Sequence, residues 1–154
     1  MMDITITIND AEVTASVDPR TSLADFLRGQ YRLTSIHLGC EHGVCGACTI
    51  MADGAPVRSC IIYAVSCDGA VVQTIEGCDD DPIMAELRDA FTEYHGLQCG
   101  YCTPAMLLTA RDIVTRLPDA NADRVRLELA GNICRCTGYT GIVRAIMAVL
   151  EQQR

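Results

Sequence analysis

The sequence predicts an α+β chain in two halves, with residues 1–77 mostly β plus one helix and residues 78–154 built from four helices. Three observations predict this. The apolar period changes from two residues to the helical period at GCDDDP, residues 77–82. Turn residues punctuate the first half and helix-capping residues the second. Each half also carries its own group of closely spaced cysteines. At 154 residues and 49% hydrophobic, the chain suffices for one ordinary domain or two small ones, with a core that needs no staples.

The elements follow in order. ITITINDAEVTASV alternates apolar and polar residues, as strands do, and Asn9-Asp10 stands where a tight hairpin turn belongs. In TSLADFLRGQY, Thr21 or Ser22 caps a short helix. Leu23, Phe26 and Leu27 form its buried stripe and Gly29 is expected to end it. ACTIMADGAPVRSCII reads as strand, Asp-Gly turn, strand, and AVVQTIEG as a further strand. Asp81 before Pro82 starts a helix with Ile83, Leu87, Ala90, Phe91 and Tyr94 at helical spacing. TPAMLLTARDIVTRLP opens with Thr103 as N-cap and Pro104 at the first helical position, and closes before Pro118. DRVRLELAGN is a third helix stopped by Gly131-Asn132, and TGIVRAIMAVLEQQR a fourth.

Composition narrows the function. Aromatic residues are 5% and Trp is absent, which disfavours stacking on single-stranded nucleic acid. A net charge of −8 disfavours a phosphate-backbone partner and suits a docking face for a basic one. MMDITITIND shows no export signal, and no apolar run approaches membrane-spanning length. A reducing cytoplasm is therefore the expected compartment. Ten cysteines there point to metal more than to five disulfides.

In HLGCEHGVCGACT, Cys40, Cys45 and Cys48 have the spacing C-x4-C-x2-C, and Cys60 follows, expected on a strand across from the loop. This is the plant-type 2Fe–2S arrangement. Gly39, Gly43 and Gly46 allow the backbone to approach the sulfurs closely. Zinc ribbons usually present two C-x2-C pairs, and a Rieske centre needs two His ligands, whereas His42 has no partner at a matching spacing. His37, His42 and His95 read as structural or solvated.

In the helical half, QCGYCTP supplies Cys99 and Cys102, and GNICRCTGY supplies Cys134 and Cys136. A thioredoxin-like dithiol would want a βαβ setting and no C-x-C partner. A four-cysteine zinc site tolerates two short pairs and is the stronger alternative. The neighbouring first set favours a second cluster, because two clusters make an electron wire. Cys67 and Cys78 join no motif and read as small buried apolar residues.

Together, GCEHGVCGAC with its downstream Cys, QCGYCTPAM and GNICRCTGY resemble the iron–sulfur subunit of the molybdenum hydroxylases, over almost the whole chain and in order. That family includes xanthine dehydrogenase, aldehyde oxidoreductase, carbon monoxide dehydrogenase and bacterial N-heterocycle dehydrogenases. The resemblance implies a β-grasp ferredoxin-like domain, 1–77, and a four-helix-bundle 2Fe–2S domain, 78–154. It implies one cluster on Cys40, Cys45, Cys48 and Cys60 and another on Cys99, Cys102, Cys134 and Cys136. It places Gln98 and Cys136 against a molybdopterin, expected in its cytosine dinucleotide form, on a large partner subunit. A medium FAD-binding subunit or another acceptor takes the electrons, in a heterotrimer or its dimer. The length suits a free small subunit of such an oxidoreductase, one that carries electrons and has no catalytic residues of its own. Cys78 stands where an apolar residue often follows TIEG in that family. The competing readings are a stand-alone ferredoxin-like carrier, which would need neither QCGYC nor CRC, and a zinc-stabilised interaction module.

Overall fold

The computed structural model describes all of residues 1–154. Strands β1 (Met2–Ile8) and β2 (Ala11–Val17) form an antiparallel hairpin about Asn9 and Asp10, both at positive φ. On β1, Ile4, Ile6 and Ile8 are buried and alternate with threonines, so the period-two pattern puts one face on the core. Helix α1 (Leu23–Gln30) covers that face with Leu23, Phe26 and Leu27. Ser22 is its cap, accepting the Asp25 N–H. Gly29 does not end the helix as expected; the last turn runs through it and Tyr31 is the C-cap, bonded back to Leu27.

Strands β3 (Thr49–Ala52) and β4 (Ala55–Arg58) pair about the Asp53-Gly54 turn, and β5 (Val71–Gln73) is the last strand. The sheet order is β2-β1-β5-β3-β4, with β5 parallel to β1 and antiparallel to β3. Mixed pairing of this kind, with a helix across one face, is the β-grasp ferredoxin-like architecture the resemblance implies. It brings the end of β4 and the start of β3 to the same rim, where the first cysteine loop lies.

Helices α2 (Pro82–Glu93), α3 (Thr103–Arg116), α4 (Ala122–Glu128) and α5 (Thr140–Gln152) build the other half. α2 buries Met84, Leu87, Ala90 and Phe91; Tyr94 is exposed, and Met84 takes the inward place expected of Ile83. The third helix is shorter than its periodic segment, because Leu129–Gly131 tighten into a 3-10 turn. No helix is long and apolar enough to cross a membrane.

The molecule has two apolar cores, and β3 serves both. Ile50 points into the β core while its neighbour Met51 enters the helical core, the two faces of one pleat. Cys67 lies in the first core and Cys78 in the second, both almost without solvent contact. Burial pushes both thiols above their ordinary pKa, as for inert apolar cysteines.

Candidate metal centres

All ten cysteines are free thiols. The first set gathers at the sheet rim. Cys40, Cys45 and Cys48 come from the loop before β3. Cys60 sits in a 3-10 turn, Ser59–Ile61, directly after β4, and not on a strand as its hairpin position suggested. The short β4 ends at Arg58, and Ser59 turns back to bond the Cys48 carbonyl. Cys60 consequently lies against Cys48 and within electrostatic reach of Cys40. Burial, and then the Cys48 thiol, push the Cys60 thiol up to about 11. The Cys45 and His42 backbone N–H groups, aided by that of Val44, hold Cys40 down at about 6. The N–H groups of Val44 and Cys45 stand 3.3 Å from Cys40 Sγ.

The second set gathers where α3 begins and where the loop after α4 passes it. Cys102 stands at the head of α3 against Cys134, within reach of Cys99; burial and then Cys134 raise its thiol to about 12. Burial works against ionising Cys134. The Thr137 hydroxyl and the N–H groups of Thr137 and Cys136 outweigh it and lower the thiol. Tyr101 N–H faces Cys99 Sγ at 3.5 Å. Cys99 and Cys136 are exposed, so this set opens to the surface. Gln98 lies beside it and donates from Nε2 to the Cys136 carbonyl at 3.1 Å.

The thiols meet in pairs, Cys48 with Cys60 and Cys102 with Cys134. Nowhere do three His, Cys, Asp or Glu side chains converge tightly enough for one metal ion. The C-x4-C-x2-C spacing of the first set suits a two-iron centre better than a single tetrahedral zinc. The N–H groups aimed at sulfur suit cluster-ligating thiolates, whose negative charge they stabilise. Both sets could hold a 2Fe–2S centre, which would supply one-electron storage when bound.

The two sets adjoin. Cys45 and all four cysteines of the second set line one cavity of about 160 Å³. The Cys45 carbonyl accepts the Ile133 N–H at 2.8 Å, one residue before Cys134. Of the loop glycines, Gly39 makes room for Cys45 Sγ, which a Cβ there would meet at 3.0 Å. Gly46 has a different use from the one expected. Its φ is +74°, and a Cβ would meet the Gly131 carbonyl oxygen at 2.2 Å, so it admits the other half of the molecule, not a sulfur.

Two families match the chain. The 2Fe-2S iron-sulfur cluster binding domain covers residues 6–67, and the 2Fe-2S binding domain of a second family covers residues 74–147. The gamma subunit of caffeine dehydrogenase from a Pseudomonas species is 47% identical over 149 residues, covering 95% of this chain and 89% of its own. The small subunit of nicotine 6-hydroxylase from Paenarthrobacter nicotinovorans is 45% identical, covering 95% of this chain and 88% of its own.

The chain belongs to the family of small iron–sulfur subunits of molybdenum hydroxylases.

Solved structures of the family share the fold. Quinoline 2-oxidoreductase from Pseudomonas putida 86 superposes with a TM-score of 0.91 at 47% identity, over 97% of this chain and 94% of the other. The aldehyde oxidoreductase of Desulfovibrio gigas gives 0.90 at 34% identity, over all of this chain but 18% of its own longer one. Several residues of this family member escaped sequence reading. Asn132, read only as a helix stop, is buried between the cysteine loops. Tyr139 pins the second loop through its hydroxyl. His37, read as structural or solvated, is structural: it stacks on Tyr101 at 4.5 Å and bonds the Tyr101 carbonyl, joining the two halves. Only the odd placement of aromatic and amide residues beside CxxC and CxC motifs could have signalled them.

Proposed function

We propose that this chain is the electron relay of a molybdenum hydroxylase. It takes electrons from a molybdopterin on a large subunit and passes them to FAD or another acceptor on a further subunit. The observation that carries this reading is the adjacency of two four-cysteine sets, one hydrogen bond apart at Cys45 and Ile133. In this reading Cys99, Cys102, Cys134 and Cys136 hold the inner 2Fe–2S centre, and Cys40, Cys45, Cys48 and Cys60 hold the outer one. Gln98 and Cys136, paired at the exposed side of the second set, meet the pterin, expected in its cytosine dinucleotide form. The unit boundary falls at residues 77–78, between the last turn of the β half and α2. The complex is a heterotrimer or its dimer, in the cytoplasm. A stand-alone carrier would not need the second set at all.

What the chain's own residues do follows from the geometry. Backbone N–H groups stabilise charge on Cys40 and Cys134, and the cavity that Cys45 shares with the second set has a mostly apolar lining. Relatives of 45–47% identity are subunits of caffeine dehydrogenase and nicotine 6-hydroxylase, and the matched structure at 47% is a quinoline 2-oxidoreductase. On that ground we place the complex's substrate among nitrogen heteroaromatics.

The test is purification of the chain with its partners, followed by metal analysis and low-temperature EPR. The expected result is about four irons per chain, two for each centre. Two distinct EPR signals are expected on reduction, with molybdenum and FAD in the co-purifying chains. A colourless, zinc-containing protein, or one EPR signal from a fully loaded complex, overturns the reading. Turnover of quinoline and nicotine set against a simple aldehyde tests the substrate class.

A further inference from the structure

Between the two cysteine loops runs a polar seam that the relay reading leaves unassigned. Arg58, half-buried at the end of β4, spans it. Its Nη1 donates to Thr49 Oγ1 at 2.7 Å and its Nη2 to the Gly131 carbonyl at 2.5 Å. Thr49 Oγ1 donates to the Gly46 carbonyl at 2.6 Å. Asn132 Nδ2 donates to that carbonyl and to Thr49 Oγ1, each at 3.2 Å. The Thr49 hydroxyl thus gives one hydrogen bond and accepts two, its full complement. Thr49 and Asn132 are each 2% exposed. The backbones touch at Gly46 and Gly131, and a Cβ on Gly131 would stand 2.3 Å from Arg58 Nη2. Thr49 follows Cys48, Arg58 comes two residues before Cys60, and Asn132 comes two before Cys134. One guanidinium therefore ties both cysteine loops.

Its charge has no carboxylate partner, as is true also of the half-buried Arg28, which bonds only carbonyls away from the seam. Six other arginines make the molecule's salt bridges, and Arg58 makes none. A half-buried guanidinium held only by a hydroxyl and a carbonyl has its positive charge uncompensated by protein. Four thiolates around an oxidised 2Fe–2S core give roughly −2, by formal charge counting on that ligation. Each one-electron reduction adds a further negative charge. A fixed cation nearby favours the added electron, and a partly dry seam strengthens the effect.

We propose that Arg58 is the positioning residue of the relay. It clamps the two cysteine loops together and, as a counter-charge two residues from Cys60, raises the reduction potential of the centre held by Cys40, Cys45, Cys48 and Cys60. This rests on the two-cluster reading above. Asn132 and Thr49 complete the clamp without charge.

The experiment is an EPR-monitored redox titration of the whole complex carrying wild-type chain, Arg58→Gln or Arg58→Lys, with iron counted in each. For Arg58→Gln, the midpoint of the centre held by Cys40, Cys45, Cys48 and Cys60 falls by about 59 mV, a tenfold loss in the reduced-to-oxidised ratio at fixed potential for a one-electron couple; a fall confined to the other centre overturns the proposal. Arg58→Lys keeps the charge, loses the planar fork, and holds its midpoints near wild type. Unchanged midpoints in the Gln variant overturn the proposal, and so does a Lys variant shifted as far as Gln. If Gln loses its centres while Lys keeps both at wild-type midpoints, the requirement for a cation is upheld. Loss of the signals in both variants assigns Arg58 a purely structural role and overturns its electrostatic one. A wild-type complex without two 2Fe–2S signals overturns the underlying reading instead, so the two failures are distinguishable.

Discussion

Tyr139 stands at φ +68°, in the left-handed region that an aromatic side chain rarely occupies. Its hydroxyl accounts for the placement. It accepts the Cys134 N–H at 2.9 Å and donates to the Asn132 carbonyl at 3.1 Å, closing the CxC loop upon itself. Its own N–H bonds the Thr137 hydroxyl, which also faces Cys134 Sγ at 3.1 Å. Tyr139→Phe leaves a part-buried donor and acceptor without partners. The expected loss is about 1–3 kcal/mol, the desolvation cost of unsatisfied groups, read from denaturant unfolding of the variant against wild type. A variant as stable as wild type would show that solvent takes over the hydroxyl's place. The cysteines themselves were legible at this scale because ligand chemistry demands fixed spacings along the chain. Asn132 and Arg58 were not, because their partners are distant in sequence: Arg58 meets Gly131 across 73 residues and Asn132 meets Gly46 across 86. Tyr139 bonds only near neighbours, but its role depends on a left-handed backbone that no periodic pattern signals.

Among the elements, α2 starts as its sequence dictates. Asp81 caps it by accepting the Met84 N–H at 3.0 Å, with Pro82 next in line. The other carboxylate oxygen pairs with Arg111 on α3, so a single side chain fixes both helices. Burial opposes ionisation of Asp81, but the Met84 N–H and the Arg111 guanidinium outweigh it and depress the pKa below its ordinary 3.8. A depressed folded pKa adds stability that is fully present above the unfolded value and is lost as pH falls through the folded one. Asp81→Ala is therefore expected to cost about 0.5–2 kcal/mol at neutral pH, the range for a lost N-cap. The gap between variant and wild type should stay constant down to the ordinary value of 3.8 and close below it. Urea unfolding of both proteins at several pH values checks this; a gap that persists well below that pH would trace the stabilisation to shape, not charge. α3 obeys the same rules less well. Thr103 is not its cap; the helix begins behind Cys102, and the Thr103 hydroxyl is buried without a partner. Placing Cys102 against Cys134 sets that start, and local capping preference yields to it. The same precedence explains Cys60, whose 3-10 turn brings it to Cys48 where a continued strand would not.

At the scale of the whole molecule, the change of period divided the chain into a β part and a helical part, and the fold has that division. The sheet order was not legible, since β5 enters between β1 and β3 by long-range pairing that no local pattern encodes. Nor was the seam, which depends on two loops from different parts of the chain arriving at Gly46 and Gly131 together. Their arrival gives the molecule a direction. Cys99, Cys136 and Gln98 are exposed beside one another, whereas Cys48 of the first set is buried and joined to the second through Cys45 and Ile133. In the proposed relay, the exposed second set is the entry for electrons from a large partner subunit, and the first set is the exit toward flavin. In the purified complex, Cys99→Ser should slow substrate-driven flavin reduction by about 10–100-fold or more, the scale seen when the surroundings of a metal site are disturbed. FAD content should stay at the wild-type level, because the first cysteine loop is untouched. Stopped-flow absorbance of the flavin measures the rate, and extraction of bound FAD measures the content. Flavin reduction at the wild-type rate would mean that electrons bypass the second set, and would refute this order of the two centres.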